Sequence, residues 1–299
     1  MKSMILAAGL GTRLRPLTDT RPKALVEING RTLLEITIAR LATFGVTEFI
    51  VNVHHFADQV ASYLQSKNNF GYRIELSRED DVLLDTGGAL RKAAWFFQEN
   101  PAHLNEAFFL HNVDVLSNID LNAMLQFHNQ HNALASLAVQ SRESSRQLLF
   151  NTNLQLAGRR IHNEGTLVDN VALVDAPASA QATNDASANA KFCHSERSEE
   201  SAFSPHSPLV TRHSPLPPTK ESSPLLPLAF SGIHVISPRL LPLLTESSPV
   251  FSIIDSYLRL SSQGEKILAF RHDTSYWRDL GKPADLAQAA LDLQRHALS

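Results

Sequence analysis

The sequence predicts a doubly wound α/β fold: a mostly parallel, mixed sheet with helices on both faces. Three observations carry that prediction. Short apolar, β-rich runs alternate with helix-period segments through the first half of the chain. The first such run, Ser3 to Ala8, ends in glycine, as a buried strand entering a loop does. The 299 residues, 43% hydrophobic and 19% charged, suffice for one large α/β core without staples.

Taken in order, Leu33 to Phe44 has apolar residues at helical spacing, with Gly45 as its stop. Glu48 to Val53 reads as a strand, Ala57 to Leu64 as a helix and Tyr72 to Leu76 as a strand. Gly88 to Phe97 reads as one helix, Ala107 to Leu110 as a strand, Leu121 to His131 as a helix and Ala133 to Val139 as a strand. The pattern then fails from about 176 to 224. Ala/Ser/Asn-rich sequence gives way there to a charged serine-rich block and scattered prolines, the composition of a disordered insertion within a single domain. Structure is expected to resume with a strand at Leu228 to Ile236 and a helix at Ser252 to Ser262. A strand at Ile267 to Phe270 and a closing helix at Pro283 to Leu298 complete the prediction. In such folds ligands bind at the carboxyl ends of the strands.

A net charge of −3 gives no global attraction to nucleic acid or an anionic membrane, so neither is an expected partner. The single cysteine, Cys193, excludes an intramolecular disulfide. No apolar run has the length of a membrane span or of a signal-peptide core, and the expected compartment is the cytoplasm. A monomer or a small homo-oligomer is the expected state.

The strongest chemical signal follows the first strand. Ala8, Gly9, Gly11, Thr12 and Arg13 lie in a loop that continues to Arg21-Pro22-Lys23. Glycines let backbone N–H groups converge on phosphate oxygens, and Arg13 and Lys23 add positive charge. The spacing fits neither GxGxxG, since position 14 is leucine, nor a GxxxxGK[ST] loop. Further on, Asp85-Thr86-Gly87-Gly88 reads as a turn opening a helix, and Asn52 and His54 close a strand. Asp114 follows a hydrophobic strand, in a position open to magnesium binding or to a turn or cap. Asp279 precedes a helix with Pro283 in its first turn and could serve as metal ligand or cap. Gly232 lies in the strand Phe230-Ser231-Gly232-Ile233-His234.

The run GLGTRLRPLTDTRPKALVEINGRTLLE, residues 9–35, resembles the opening of the sugar-1-phosphate nucleotidyltransferase family. The resemblance extends over about residues 1–139 and 228–292, and it implies a Rossmann-like sheet of the nucleotidyltransferase type. It implies an enzyme that joins a nucleoside triphosphate and a sugar 1-phosphate, releasing pyrophosphate with Mg²⁺. It implies that Ala8, Gly9, Gly11, Thr12, Arg13, Lys23, Asn52, Gly87 and Gly88 bind the nucleotide, with Arg13 and Lys23 acting in catalysis. By the same resemblance Asp114 and Asp279, the latter in a Trp-x-Asp-x-Gly motif, ligate magnesium, and Asn112 and Gly232 line the sugar site. The chain departs from the family at Val113, where relatives usually carry glycine. It also lacks the Glu-Lys-Pro motif of many glucose 1-phosphate users. Asp85 before Thr-Gly-Gly, in an otherwise short chain, resembles the N-acetylmuramate 1-phosphate uridylyltransferases. The alternatives are a mannose or heptose 1-phosphate guanylyltransferase, or a non-catalytic nucleotide-sugar-binding regulatory module.

Overall fold

A computed structural model describes residues 1–101, 104–163, 166–171 and 224–295. The expected insertion falls outside the described residues, apart from Pro224. Residues 1–175 and 224–299 form one compact unit.

The chain opens with strand β1 (Lys2–Leu6), whose residues are almost all buried. A small hairpin of β2 (Glu27–Ile28) and β3 (Arg31–Thr32) leads into helix α1 (Leu33–Thr43). The Thr32 side chain caps α1 by accepting from the Glu35 N–H at 3.1 Å, so Thr32 and Glu35 have the spacing of a capping box. Then come β4 (Glu48–Val53), α2 (Ala57–Ser66) and β5 (Arg73–Arg78). Next are α3 (Asp85–Lys92), α4 (Ala94–Gln98), β6 (Phe108–Asn112) and β7 (Val115–Ser117). Helix α5 (Leu121–Gln130) precedes β8 (Ala135–Gln140), β9 (Arg146–Phe150), β10 (Leu156–Asn163) and β11 (Thr166–Val171). The chain then supplies β12 (Leu226–Ile236), α6 (Ile253–Ser262), β13 (Ile267–Arg271), β14 (Trp277–Asp279) and α7 (Pro283–Arg295).

The central sheet has the order β13-β8-β12-β6-β1-β4-β5. Four of its six pairings are parallel, and β12 alone runs against the other six strands. Side chains alternate between faces along each strand. Ile5, Phe49 and Phe109 enter one core with α1, α2, α5 and α7, whereas Met4, Ile50 and Phe108 enter the other with α3, α4 and α6. This is the doubly wound arrangement expected from the alternation of elements. Among the described residues no helix is long and apolar enough to cross a membrane.

Two features differ from expectation. The predicted helix from Gly88 to Phe97 is two helices, with a break at Ala93. The break lets α4 turn Phe96 and Phe97 inward, where Phe97 stacks on Phe108 with ring centroids 3.7 Å apart. Strands β9, β10 and β11 form an antiparallel extension joined to the sheet through the first residues of β12, and the sequence reading assigned no elements there. Strand β12 serves both parts because its register shifts between Phe230 and His234. Gly232 lies in that shift with φ of 76°, a conformation that favours glycine.

Helix α3 is seated by its glycines. A Cβ on Gly88 would lie 2.1 Å from the Pro249 carbonyl oxygen, which is backbone and has no flexible end to move. Gly88→Ala is expected to cost about 1–3 kcal/mol through overpacking. Thermal unfolding should then show a lower midpoint; an unchanged midpoint would mean that the 249–253 segment yields freely.

Candidate active site

The carboxyl ends of β1, β4 and β6 open onto one cleft with two lobes that share Leu6 and Gly9. The first lobe, of about 210 Å³, is lined by Gly9, Gly11, Thr12, Arg13, Lys23 and Asp114, among others. The second, of about 400 Å³, is lined by Ala8, Asn52, Glu79, Asp85, Thr86 and Asn112, among others. Thus the structure brings the predicted phosphate-loop residues and Asp114 together, with Asn52 and Asn112 in the adjoining lobe.

The glycine loop is shaped by Gly11, which adopts φ of 66° and packs so closely on Thr18 that a Cβ would approach Thr18 Cγ2 to 2.9 Å. The Thr18 hydroxyl donates to the Gly11 carbonyl at 2.8 Å and pins the loop's return. At the loop's root the Ala7 N–H donates to Asn52 Oδ1 at 2.7 Å. Asn52 Nδ2 in turn donates to Glu79 Oε1 at 2.7 Å, and the Leu84 N–H donates to Glu79 Oε2 at 2.8 Å. A hydrogen-bond chain therefore ties the phosphate loop to the turn that begins α3. His54 sits at its side, its Nδ1 against the Glu79 carbonyl. Gly87 and Gly88 stand apart from these cavity walls: their N–H groups donate to the Phe251 carbonyl at 2.9 and 3.3 Å.

Asp114 and Asp279 are brought together by a two-stranded ribbon. Strand β7 pairs antiparallel with β14, setting Asp279 opposite Val115, and the Leu280 N–H donates to the Asp114 carbonyl at 2.8 Å. Lys23, itself buried, forms an ion pair with Asp114. Arg13 Nη2 lies 3.8 Å from Asp279 Oδ2. The Asp279 carboxyl is held above the ordinary carboxylate range, first by burial and then by the charge of Asp114; Lys23, Arg13 and the Gly281 N–H oppose that rise. Asp279 Oδ1 is buried with no hydrogen-bond partner among the described residues. An orphaned carboxylate oxygen beside a second carboxylate fits a hard divalent cation that takes its remaining ligands from phosphate and water. Among the described residues no cluster of three or more His, Cys, Asp or Glu side chains offers a fuller protein cage.

Val113, the departure noted in the sequence, is buried and is not among the residues with positive φ. Glycine's freedom is therefore not needed at that position. Gly232 is set against Asn112, whose Nδ2 would lie 2.9 Å from a Cβ there. Two residues at the site were not singled out from sequence. Gly281 leaves space that a Cβ would fill, 2.6 Å from Arg13 Nη2 and 2.7 Å from Asp279 Oδ1, and its signal was the Asp-x-Gly motif itself. Glu79 is buried, yet it stands in the charged run Ser77-Arg78-Glu79-Asp80-Asp81, which reads as a solvated surface.

The sequence model of the nucleotidyl transferase family matches residues 2–147. These residues belong to the nucleotidyl transferase family. That nucleotidyl transferase region contains the glycine loop, Lys23, Asn52, Glu79 and Asp114, while Asp279 comes from outside it. Among curated relatives, the N-acetylmuramate alpha-1-phosphate uridylyltransferase of Caulobacter vibrioides is 43% identical over 114 residues, 38% of this chain and 45% of the relative. A mannose-1-phosphate guanyltransferase of Aspergillus fumigatus is 34% identical over 140 residues, 46% of this chain and 37% of the relative. The chain spans under half the length of these two relatives. The crystal structure of HddC from Yersinia pseudotuberculosis complexed with GMP-PN covers 98% of this chain and 99% of its own at a TM-score of 0.63. At 16% identity that likeness shows the fold, including the part beyond residue 147.

The link from the glycine loop to α3 makes a direct prediction for the nucleotidyl transferase region. Asn52→Ala leaves the buried Ala7 N–H without an acceptor, a loss of about 1–3 kcal/mol. The unfolding midpoint is expected to fall by the corresponding amount. A variant with an unchanged midpoint would show that the loop holds its shape without Asn52.

Proposed function

We propose that the protein is a transferase that moves a nucleotidyl group from a nucleoside triphosphate to a sugar 1-phosphate, with release of pyrophosphate. The observation that carries this reading is the convergence of Asp114, Asp279, Lys23 and Arg13 at the mouth of the glycine loop. We infer UTP and N-acetylmuramate 1-phosphate as the substrates. The 43% identity to the Caulobacter vibrioides uridylyltransferase over 114 residues supports that pair. The mannose 1-phosphate and GTP pair is the second reading, favoured by the 34% identity that extends over a longer stretch.

In the proposed reaction an oxygen of the sugar phosphate bonds to the α-phosphorus, and the bond from the α-phosphorus to the bridging oxygen breaks. A phosphate monoester is already anionic at neutral pH, so the protein needs no strong general base. The task is to bring two polyanions together and hold them in line. Amides of Gly9, Gly11 and Thr12, with Arg13, would hold the β- and γ-phosphates. Lys23, released from its pairing with Asp114, would stabilise charge at the α-phosphate. A Mg²⁺ ion bound by Asp114 and Asp279 would supply charge neutralisation to phosphate oxygens of both reactants. Asn52 acts through the loop it holds, and the lobe containing Glu79, Asp85 and Thr86 would receive the base.

Pyrophosphate release, measured across UTP, GTP, dTTP, CTP and ATP against N-acetylmuramate, mannose, glucose and heptose 1-phosphates, tests this reading. Turnover is expected with UTP and N-acetylmuramate 1-phosphate, and Asp114→Ala should abolish it. Turnover with GTP and mannose 1-phosphate would select the second reading, and nucleotide binding without turnover in any pair would favour a non-catalytic binding module. Lys23→Ala should reduce kcat roughly 100-fold, about 3 kcal/mol of transition-state stabilisation. An unchanged kcat would remove Lys23 from the chemistry. Chelation of divalent metal with EDTA should stop turnover, and added Mg²⁺ should restore it.

A further inference from the structure

Arg142, in the turn after β8, carries charge that the folded chain leaves unmatched. Its guanidinium carbon lies 3.7 Å from the centroid of the Trp277 ring, and Nη2 donates to the Phe230 carbonyl at 2.8 Å. Among the described residues its Nε is buried without a partner and no carboxylate forms an ion pair with it; Asp279 acts on it through space. Arg278, next to Trp277 in β14, shows what a structural arginine looks like here. Its guanidinium is matched by Tyr276, Asp285 and Asp292.

The position of Arg142 relative to Asp279 follows from strand geometry. Trp277 and Asp279 are two residues apart in β14, so their side chains share one face of the ribbon. The indole is fixed there by its Nε1, which donates to the Ser231 carbonyl at 2.8 Å, next to Gly232. A guanidinium stacked on that indole is held on the face that carries the Asp279 carboxylate. Arg13 reaches the same carboxylate from the glycine loop. Arg13 thus stands 3.8 Å from the Asp279 carboxylate, and Arg142 feels that carboxylate through space.

We propose that Arg142 holds the phosphate of the acceptor, the sugar 1-phosphate, and so fixes the nucleophile beside Asp279. This rests on the transfer reading above. Stacking on Trp277 orients the planar fork in advance, which suits bidentate capture of a phosphate monoester.

Steady-state pyrophosphate release with UTP and N-acetylmuramate 1-phosphate tests the assignment in wild type, Arg142→Met and Arg142→Lys. The expected result for Arg142→Met is a KM for the sugar phosphate raised about 10- to 100-fold, the loss of a charged hydrogen bond. The KM for UTP and calorimetric UTP binding should not move. Arg142→Lys should recover part of the loss, because it restores charge but not the fork, and it serves alone if the methionine variant fails to fold. Free N-acetylmuramate, which has a carboxylate but no phosphate, is added as an inhibitor. Its inhibition should be the same in wild type and variant; inhibition weakened in the variant would assign Arg142 to the carboxylate and overturn the proposal. An unchanged acceptor KM, or equal rises in both KM values, would also overturn it while leaving the transfer reading intact. A wild-type protein that binds UTP but never turns over would instead defeat the transfer reading itself.

Discussion

Two carboxylates held close together in a partly buried site repel each other, and the rest of the cleft is organised around that repulsion. Neither Asp114 nor Asp279 is free to move away. A backbone hydrogen bond from Leu280 to the Asp114 carbonyl and the β7–β14 pairing fix the spacing of the two chain segments. The folded chain answers the accumulated charge with Lys23 on one carboxylate and Arg13 near the other. The two cations differ in availability: Arg13 stands 3.8 Å from its partner and is largely exposed, whereas Lys23 is buried against Asp114. A site that sets two carboxylates against two cations, one of them exposed, is suited to a ligand that carries both signs, a metal–phosphate complex.

The second organising element is the buried carboxylate of Glu79. Charged side chains are rarely this buried unless their hydrogen-bonding capacity is used. Here one oxygen receives Asn52 and the other the Leu84 N–H. Through Asn52 the same group reaches the Ala7 N–H at the root of the glycine loop. Both lobes of the cleft thus take their geometry from a single side chain at the end of β5. A nucleotide spanning the lobes would meet a base site and a phosphate site already set at a fixed separation, with less entropy to lose on binding.

Much of this was legible in the sequence, and the reasons differ from element to element. Strand β4 was read with the bounds it has, because its run Glu48 to Val53 is apolar and flanked by helical segments. The glycine loop was readable because few structures require two glycines, an arginine and a Pro-Lys after one strand. Asp279 was found through the resemblance of its motif, since nothing in its local pattern separates a ligand from a cap. Glu79 and Arg142 were missed for a common physical reason. Each lies in a charged, polar stretch that looks solvated, and each is claimed by partners far away in sequence: Asn52 for Glu79, Phe230 and Trp277 for Arg142. The same distance effect hid β9 to β11, whose attachment to the sheet depends on β12. Gly87 and Gly88 were read as nucleotide-binding, and in the structure their smallness serves the approach of Pro249 and Phe251.

The reversed strand β12 also bears on how this chain reaches its folded state. Strands β6 and β8 do not pair with each other; β12 seats between them and closes both edges. Until residues 226–236 are available, each of those strands presents an open row of backbone donors and acceptors in the middle of the future sheet. Until then a growing polypeptide would carry the β5-β4-β1-β6 half-sheet with one open edge and β8 with neither of its neighbours, each competent to recruit a foreign strand. Closing them requires contacts between residues more than 80 positions apart, as in the pairing of Val235 with Ser136, and long-range pairing of this kind is slow. The danger of misassembly for this protein is thus concentrated in one late event, the insertion of its antiparallel strand.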